Sequence, residues 1–247
     1  MTLVEVCVAS AEHAIAAAAA GAGRVELCAN LVEGGTTPSW GEIVRARASV
    51  AVPVMVMIRP RGGDFLYSDL EIEIMASDIE AARRAGADGI VLGLLTSDGR
   101  VDAERLRPLV DAGDGLEIAF HRAFDLCRDP FEALETIVDL GCDRILTSGQ
   151  RATAVEGLES IAALAKAADG RVGIMPGGGI RAGNVTRILS VPEVCQIHVY
   201  AGRVASSRMA FRREGIAMGR SYAPDEYRRT EVDGDAIRAV VAAAAHP

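Results

Sequence analysis

Cysteine is scarce and scattered in this sequence. The 247 residues include five cysteines, an odd number, and no two of them form a CxxC pair. An odd set of dispersed cysteines argues against a disulfide framework, and the missing CxxC spacing argues against a structural zinc site. The thiols are therefore predicted to be either buried packing residues or soft metal ligands.

Long apolar runs and blocks of like charge are also lacking. The alanine-rich run 14–20 is too short to cross a bilayer, and the N-terminus has no basic segment of the kind that opens a secretory leader. The formal net charge is −8, and an acidic surface repels phosphate backbones. We therefore expect a cytoplasmic protein with neither a membrane nor a nucleic-acid partner.

Several catalytic motifs are absent as well. The sequence has no HExxH zinc motif, no P-loop and no GxSxG nucleophile elbow. GxGxxG is absent from any strand–turn–helix context. No standard motif therefore assigns a reaction to this chain.

Short runs rich in Val and Ile alternate along the chain with alanine-rich amphipathic stretches. Half of the residues are hydrophobic and 24% are charged, which is an ordinary globular composition. Strands are predicted near Leu3–Val8, Arg24–Cys28, Val54–Ile58, Gly89–Leu92, Leu116–Phe120, Arg144–Thr147, Val172–Met175 and Gln196–Val199. Helices are predicted near Ala11–Ala20, Trp40–Ala48, Leu70–Ala85, Ala103–Asp111, Pro130–Leu140, Ala154–Ala168, Arg181–Leu189 and Asp235–Ala245.

This alternation indicates an all-parallel sheet. Glycines such as Gly86 and Gly141 recur where a helix ends just before a strand, a position that favours the left-handed conformation. A chain of about 250 residues matches one closed barrel. We predict the α/β class and a single (β/α)₈ TIM barrel over residues 1–247, with an elaborated loop at 201–230 before the last helix. An open doubly wound sheet is the alternative.

The period of two along a barrel strand separates helix-facing from interior side chains. On the first strand, Val4, Val6 and Val8 form the helix-facing set, so Glu5 and Cys7 are predicted to point inward. The same alternation predicts interior positions for Glu26, Cys28, Met55, Met57, Arg59, Glu117, His121, Gln196 and His198. Ligand-binding and catalytic groups of such barrels lie at the carboxyl ends of the strands.

Soft sulfur ligands occur on three neighbouring strands of the predicted barrel. Cys7 and Cys28 are predicted at equal depth, with Met55 and Met57 beside them. Thiolate and thioether groups select Cu(I) over harder ions, so Cys7 and Cys28 are candidate ligands of Cu(I). The alternative is that these side chains only fill space in the core.

Polar residues at the same strand ends are candidates for catalysis. Glu26 is a candidate general base because burial raises a carboxyl pKa. His121 is a candidate acid or base, and Arg59 is suited to holding an anion with two hydrogen bonds. The alternative is a set of interior ion pairs that satisfy one another.

Glycine-rich segments follow two later strands. Backbone amides at such strand-to-helix turns attract phosphate or carboxylate groups, and barrels often bind phosphate in the loops after the seventh and eighth strands. A tight turn with no ligand is the alternative. The candidate anion-binding residues are Arg61, Ser148, Gly149, Gly177, Gly178 and Gly179.

Six long strings in the sequence are distinctive, namely Glu5–Cys7, Glu26–Ser39, Met57–Phe65, Phe120–Asp125, Leu146–Gly149 and Met175–Gly179. Together they resemble the CutC family, which is named for copper homeostasis. The resemblance runs from the first strand to about Gly219 and implies a cytoplasmic, commonly oligomeric TIM barrel linked to copper tolerance. It also implies Cu(I) binding through two cysteines, which match Cys7 and Cys28.

Three hypotheses about function follow. The first is a copper homeostasis protein that binds Cu(I) and forms a homo-oligomer, a dimer or a tetramer. The second is an enzyme that acts on a small anionic or phosphorylated metabolite, which would explain the arginines and the glycine loops. The third is an interaction module, which leaves the inward charges unexplained.

Overall fold

The computed structural model describes residues 2–216, 218 and 226–245, and in this part of the chain eight parallel strands alternate with helices. The strands are β1 (Leu3–Val8), β2 (Arg24–Leu27), β3 (Val54–Met57), β4 (Gly89–Leu92), β5 (Glu117–Phe120), β6 (Arg144–Thr147), β7 (Gly173–Pro176) and β8 (Gln196–Val199). The helices are α1 (Ala11–Ala19), α2 (Trp40–Ser49), α3 (Asp69–Arg84), α4 (Ala103–Ala112), α5 (Pro130–Leu140), α6 (Leu158–Ala168), α7 (Val185–Ile188) and α8 (Gly234–Ala244).

The order of the strands in the sheet identifies the barrel. Each strand is parallel to its neighbours, in the order β7-β6-β5-β4-β3-β2-β1-β8. A parallel bridge between Gly177 and His198 joins the two outermost strands, so the sheet is a nearly closed barrel. The order never reverses direction, unlike that of a doubly wound sheet, and the predicted TIM barrel is confirmed.

Short polar side chains start most of the helices. Ser10, Ser39 and Ser68 each accept a hydrogen bond from the amide three residues later, and Asp102 and Asp233 do the same. Such caps satisfy amides that have no partner within the helix.

The valines on alternate positions of β1 pack against the helices as predicted. Val4, Val6 and Val8 belong to the large hydrophobic core that lies between the strands and the helices. A second, smaller cluster of buried residues fills the barrel interior, where Cys7 also packs. Its buried members are Cys28, Met55, Met57, Val91 and Ala119.

Strand register brings the polar interior residues of β1, β2 and β8 together. Cys7 is the register partner of Glu26 on β2, and Glu5 is the register partner of His198 on β8. Side chains from three adjacent strands are therefore at comparable depth near the carboxyl end of β1.

Two aspartates tie neighbouring strands together at their amino ends. Asp88 accepts a hydrogen bond from the amide of Val54 at 2.8 Å, and Asp143 accepts one from the amide of Ile118 at 2.7 Å. Each aspartate follows a turn in which a glycine has positive φ, at Gly86 and Gly141. The glycine ends the helix, and the aspartate then fixes the next strand to the one before it.

Two helices are shorter than predicted. Helix α7 spans one turn because the side chain of Asn184 accepts from the Arg181 amide and donates to the Gly179 carbonyl, which replaces helical hydrogen bonds. Helix α6 begins at Leu158, and Gly157 before it lies against Ser148 and Gly149 of the loop after β6. A Cβ on Gly157 would lie 1.9 Å from the Ser148 carbonyl oxygen, so only glycine fits there.

The segment predicted as an elaborated loop before the last helix contains an antiparallel hairpin. Its strands are β9 (Gly202–Ser206) and β10 (Arg228–Val232). Both strands are largely exposed, so they lack the run of apolar residues by which the barrel strands were found. Residues 217 and 219–225 of this segment lie outside the described residues.

We expect Asp143→Ala to lower the free energy of unfolding by about 1 kcal/mol, because the Ile118 amide loses a charged acceptor. Urea denaturation measures this change. The control is Asp114→Ala, which alters an exposed residue in the turn before β5. If both substitutions change the free energy of unfolding equally, the hydrogen bond between Asp143 and the Ile118 amide contributes nothing to stability.

Candidate functional site

Two thiols lie side by side at the carboxyl ends of β1 and β2. The sulfur of Cys7 is 3.8 Å from the sulfur of Cys28. Cys28 is buried at 1% exposure, whereas Cys7 is only partly buried. The inward positions predicted for both cysteines are therefore those of the structure.

A carboxylate and an imidazole complete this group of side chains. Glu26 Oε2 lies 3.5 Å from the Cys28 sulfur and 3.7 Å from His198 Nε2. Ligand atoms of Cys7, Glu26 and His198 all lie within 4.8 Å of one another. We call Cys7, Cys28, Glu26 and His198 the thiol cluster.

A buried ion pair between Glu5 and Arg24 holds His198 of the thiol cluster in place. Glu5 lies 2.8 Å from His198 Nδ1 through its Oε1 and accepts a hydrogen bond from Arg24 Nε through its Oε2. Arg24 also donates to Gln196 at 2.9 Å. Burial opposes ionisation of Glu5, but His198 and Arg24 outweigh it and hold the pKa of this carboxyl at about 2.

Contacts within the thiol cluster and burial shift the pKa values of its members in opposite directions. The hydrogen bond from Cys28 lowers the pKa of Cys7 to about 5 against the effect of burial, and His198 adds to the shift. The same hydrogen bond, together with burial, raises the pKa of Cys28. Burial also raises the pKa of Glu26, although His198 opposes it. One thiolate next to one thiol is the favoured state of the pair.

Arg59 is not a member of the thiol cluster, but it stabilises the loop that covers Cys28. Its guanidinium donates to the carbonyls of Glu33 at 2.8 Å and Gly35 at 3.0 Å, and to the carbonyl of Gly63 at 2.7 Å. Gly35 has φ +91°, and a Cβ there would lie 3.2 Å from the Cys28 sulfur. The loop therefore packs on Cys28, and most donors of Arg59 are used to hold it.

His121 is a neutral, buried side chain on the opposite part of the barrel mouth. Its Nδ1 accepts from the Ala123 amide at 3.2 Å, and its ring centroid is 4.8 Å from that of Phe65. Burial, and then the nearby charge of Arg59, lowers its pKa to about 3. Its Nε2 is buried with no hydrogen-bond partner among the described residues.

A carboxylate of the protein occupies the amides after β6 where an external anion was predicted. Asp125 accepts from the Ser148 amide at 3.0 Å, from the Ser148 hydroxyl at 2.9 Å and from the Gln150 amide at 3.1 Å. Arg122 pairs with the same carboxylate at 2.7 Å. An external anion would have to share or replace these hydrogen bonds at Ser148.

The other candidate anion-binding residues are spread over two further loops. Gly177 donates its amide to Thr147 at 2.9 Å. Gly178 and Gly179 have φ values of +100° and +72°. Arg61 is engaged by Asp64 and Glu71. Gly178 lies beside Ser148, since a Cβ on Gly178 would be 3.3 Å from Ser148 Cβ. An anion-binding role for Arg61, Ser148, Gly149, Gly177, Gly178 and Gly179 stays a prediction.

A cavity of about 930 Å³ opens beside the cluster. Cys7 and His198 line it, whereas Cys28 and Glu26 do not. The hairpin of β9 and β10 contributes part of the wall, including Gly202 and Arg229. The cavity therefore gives access to two members of the thiol cluster.

Two interior arginines were missed by the sequence reasoning. Arg24 has the same strand parity as Glu26 and Cys28, so alternation alone would have placed it inside. Arg144 is buried at 5% and pairs with Glu117. Both have a thioether sulfur as a further partner, Met175 at 3.3 Å from Arg24 and Met55 at 3.7 Å from Arg144.

The fold and the thiol cluster define a class of protein, a TIM barrel with two adjacent thiols, a histidine and a carboxylate at its mouth. The sequence profile of the CutC family matches residues 2–203. The chain belongs to the CutC family. Among the described residues, no helix is both long and apolar enough to span a membrane.

Relatives match over most of their length. The copper homeostasis protein cutC homolog of Mus musculus is 49% identical over 242 residues, which cover 98% of this chain and 89% of that protein. A CutC family protein of Parabacteroides distasonis is 45% identical over 240 residues, with coverage of 97% and 99%. The crystal structure of CutC from Streptococcus agalactiae has 40% identity and a TM-score of 0.77, and the match covers 80% of this chain and 98% of that one.

A more distant match shows the fold alone. Phosphoribosylanthranilate isomerase from Thermotoga maritima has 14% identity and a TM-score of 0.58, with full coverage of both chains. This likeness supports the TIM barrel and carries no statement about substrate.

We expect the depressed pKa of His121 to make stability fall on acidification. Between the ordinary pKa of 6.5 and about 3, the unfolded chain binds a proton at His121 that the folded chain does not. Unfolding is therefore favoured increasingly as the pH falls through this window. Urea denaturation at about pH 7 and about pH 5 should show a smaller loss of stability for His121→Gln than for the wild type.

His13→Gln on α1 is the control for this comparison and should keep the wild-type pH dependence. If His121→Gln loses as much stability between the two pH values as the wild type does, the imidazole is not held neutral by burial.

Proposed function

We propose that this protein binds Cu(I) through the sulfurs of Cys7 and Cys28 and acts in copper homeostasis. The observation that carries the proposal is the 3.8 Å separation of the two sulfurs at the carboxyl ends of β1 and β2. Soft thiolate ligands select Cu(I), and the low pKa of Cys7, about 5, favours the thiolate form in one partner. The copper homeostasis names of the mouse and human relatives support the same function.

The surroundings of the pair suit a soft ion that must be kept from water. Met55 and Met57 are buried in the same interior cluster as Cys28, and the loop held by Arg59 covers it. Free thiols and Cu(I) persist in reducing compartments. The proposal therefore includes a cytoplasmic location, with copper as the ligand to be bound and passed on.

Anaerobic titration of the reduced protein with Cu(I) against a competing chelator tests the proposal. We expect one tightly bound ion per chain. We expect Cys7→Ser combined with Cys28→Ser to weaken binding by more than the roughly 10–100-fold that loss of an outer-shell partner costs. Cys142→Ser, which removes a buried thiol outside the cluster, is the matched control. Equal affinity in the parent and the double variant would exclude the thiol pair as the copper site.

A second candidate function, an enzyme that acts on a small anionic metabolite, is favoured by the cavity. Its volume of about 930 Å³ is within the range of sites for small molecules, about 300–1,000 Å³. Glu26, Arg59 and His121 remain the candidate catalytic residues, and all three lie outside the lining of this cavity. Each has one buried polar atom with no hydrogen-bond partner among the described residues, namely Glu26 Oε1, Arg59 Nε and His121 Nε2.

Thermal unfolding in the presence of inorganic phosphate tests the anion site of this second function. A bound anion should raise the melting temperature as its concentration rises past the dissociation constant. Ser148→Ala should abolish the rise, whereas Ser190→Ala, in the exposed turn after α7, should keep it. A rise that is the same in both variants would place any bound phosphate elsewhere.

The predicted homo-oligomer and the single domain over residues 1–247 stay predictions.

A further inference from the structure

Three buried polar side chains at the barrel mouth, in the loops after β3 and β5, each have a polar atom without a partner. Arg59 is 5% exposed, Tyr67 3% and His121 3%. Arg59 Nε, the Tyr67 hydroxyl and His121 Nε2 are buried with no hydrogen-bond partner among the described residues. An unsatisfied buried donor is costly, and native proteins keep few of them. We call Arg59, Tyr67 and His121 the donor group.

The ring of Phe65 and the charge of Arg59 connect the members of the donor group. The guanidinium carbon of Arg59 and the ring centroid of His121 are each 4.8 Å from the centroid of the Phe65 ring. Burial raises the pKa of Tyr67, and the nearby charge of Arg59 opposes this rise. After burial, the same charge is the second cause of the low pKa of His121, about 3. Arg59 is therefore close to both of the other members.

Arg59 is a buried cation that forms no ion pair with a carboxylate in the described part of the chain. The two other buried arginines of the barrel interior are each paired, Arg24 with Glu5 and Arg144 with Glu117. The guanidinium of Arg59 instead donates to three backbone carbonyls. Buried charges are almost always paired, so the charge of Arg59 favours an anion that comes from outside the protein.

The acidic side chains of the neighbouring loops are already engaged. Asp64 and Glu71 both pair with Arg61. Glu33 offers Arg59 its backbone carbonyl, at 2.8 Å. A water molecule would satisfy free donors but would leave the charge of Arg59 unpaired. An anionic ligand would do both.

The free atoms of the donor group match a carboxylate. The Nδ1 atom of His121 accepts a hydrogen bond from the Ala123 amide, so the proton of the neutral ring is on Nε2. Arg59 Nε can only donate, and the Tyr67 hydroxyl adds a third donor. A carboxylate accepts several hydrogen bonds and carries one negative charge, whereas a phosphate carries about 1.5 to 2. We propose that the donor group binds the carboxylate group of a small metabolite.

The proposed site is separate from the thiol cluster. None of the three members of the donor group lines the cavity of about 930 Å³ beside that cluster. The proposal deepens the second candidate function, on which it rests, by naming the class of ligand and the side chains that recognise it.

Phe65 shields the donor group from solvent. Its ring is partly exposed, whereas Arg59 and His121 beneath it are buried. Arg61 donates to the carbonyls on either side of Phe65, those of Asp64 and Leu66. The Phe65 carbonyl accepts from the amide of Leu95 at 2.9 Å. Since the backbone is fixed in this way, a ligand enters when the side chain of Phe65 changes its rotamer.

Thermal unfolding in sodium acetate tests the site with the simplest stable carboxylate of this kind. We expect the melting temperature to rise with acetate concentration. Sodium chloride at equal ionic strength and acetamide, a neutral molecule of the same shape, should leave it unchanged. No rise with acetate, or an equal rise with acetamide, would overturn the proposal.

Variants locate the bound acetate. We expect Tyr67→Phe to weaken acetate affinity about 10-fold or more, as loss of a hydrogen bond to a charged group does. Tyr200→Phe is the matched control, because Tyr200 lines the cavity beside the thiol cluster, and it should keep the parent affinity. Phe65→Ala should bind acetate more tightly, since no ring has to move. Parent affinity in Tyr67→Phe would overturn the proposal, as would loss of binding in Tyr200→Phe alone.

The side chain of His121 gives a readout that does not depend on stability. Two-dimensional ¹H–¹⁵N spectra detect the imidazole Nε2–H, and its loss in His121→Gln assigns the resonance. We expect acetate to shift this resonance and acetamide to leave it in place. A resonance that stays in place while acetate raises the melting temperature would put the anion elsewhere and overturn the proposal.

The outcomes separate this site from the other proposals. A rise in melting temperature with phosphate that depends on Ser148, without any effect of acetate, would leave the second candidate function standing and remove the carboxylate site. Acetate binding that is lost in Ser148→Ala and kept in Tyr67→Phe would also remove it. Acetate binding that is lost in Tyr67→Phe, with no effect of phosphate, would support the donor group and remove the anion site at Ser148. Copper binding is measured independently of all three results.

Discussion

The buried charge of Glu5 constrains the whole polar end of the barrel. A carboxylate at 1% exposure is tolerated only with opposite charge and hydrogen bonds around it, and Arg24 and His198 provide both. Arg24 is fixed in turn by Gln196. The position of the His198 ring, and through it the geometry at Cys7, therefore depends on the buried ion pair of Glu5 and Arg24.

The alternation of side chains along the strands made much of this predictable from the sequence. Because one face of each strand packs on helices, the valines of β1 placed Glu5 and Cys7 inside, and the same logic placed Cys28. The barrel then set adjacent strands in a register that brings the two sulfurs to 3.8 Å. His198 was placed inside in the same way, but only the structure showed that its Nε2 faces Glu26.

Other features had no pattern from which to predict them. Arg59 binds backbone carbonyls of a loop, and carbonyls carry no signature in the sequence. Asp125, 23 residues before Ser148 in the chain, accepts a hydrogen bond from the Ser148 amide. The turn after β6, which was predicted to bind an external anion, therefore binds a carboxylate of the protein itself. The hairpin of β9 and β10 is exposed, and exposed strands need no apolar alternation. Sequence reasoning was therefore strongest where burial imposes a periodicity.

The two sulfurs of the pair differ in how they are reached. Cys7 lines the cavity, whereas Cys28 lies beneath the loop that Gly35 and Arg59 hold in place. Whatever reaches the pair through the cavity therefore meets Cys7 before Cys28. Under the proposed function, exchange at the pair would be ordered in time: the outer sulfur would be the first to bind an arriving ion and the last to release a departing one.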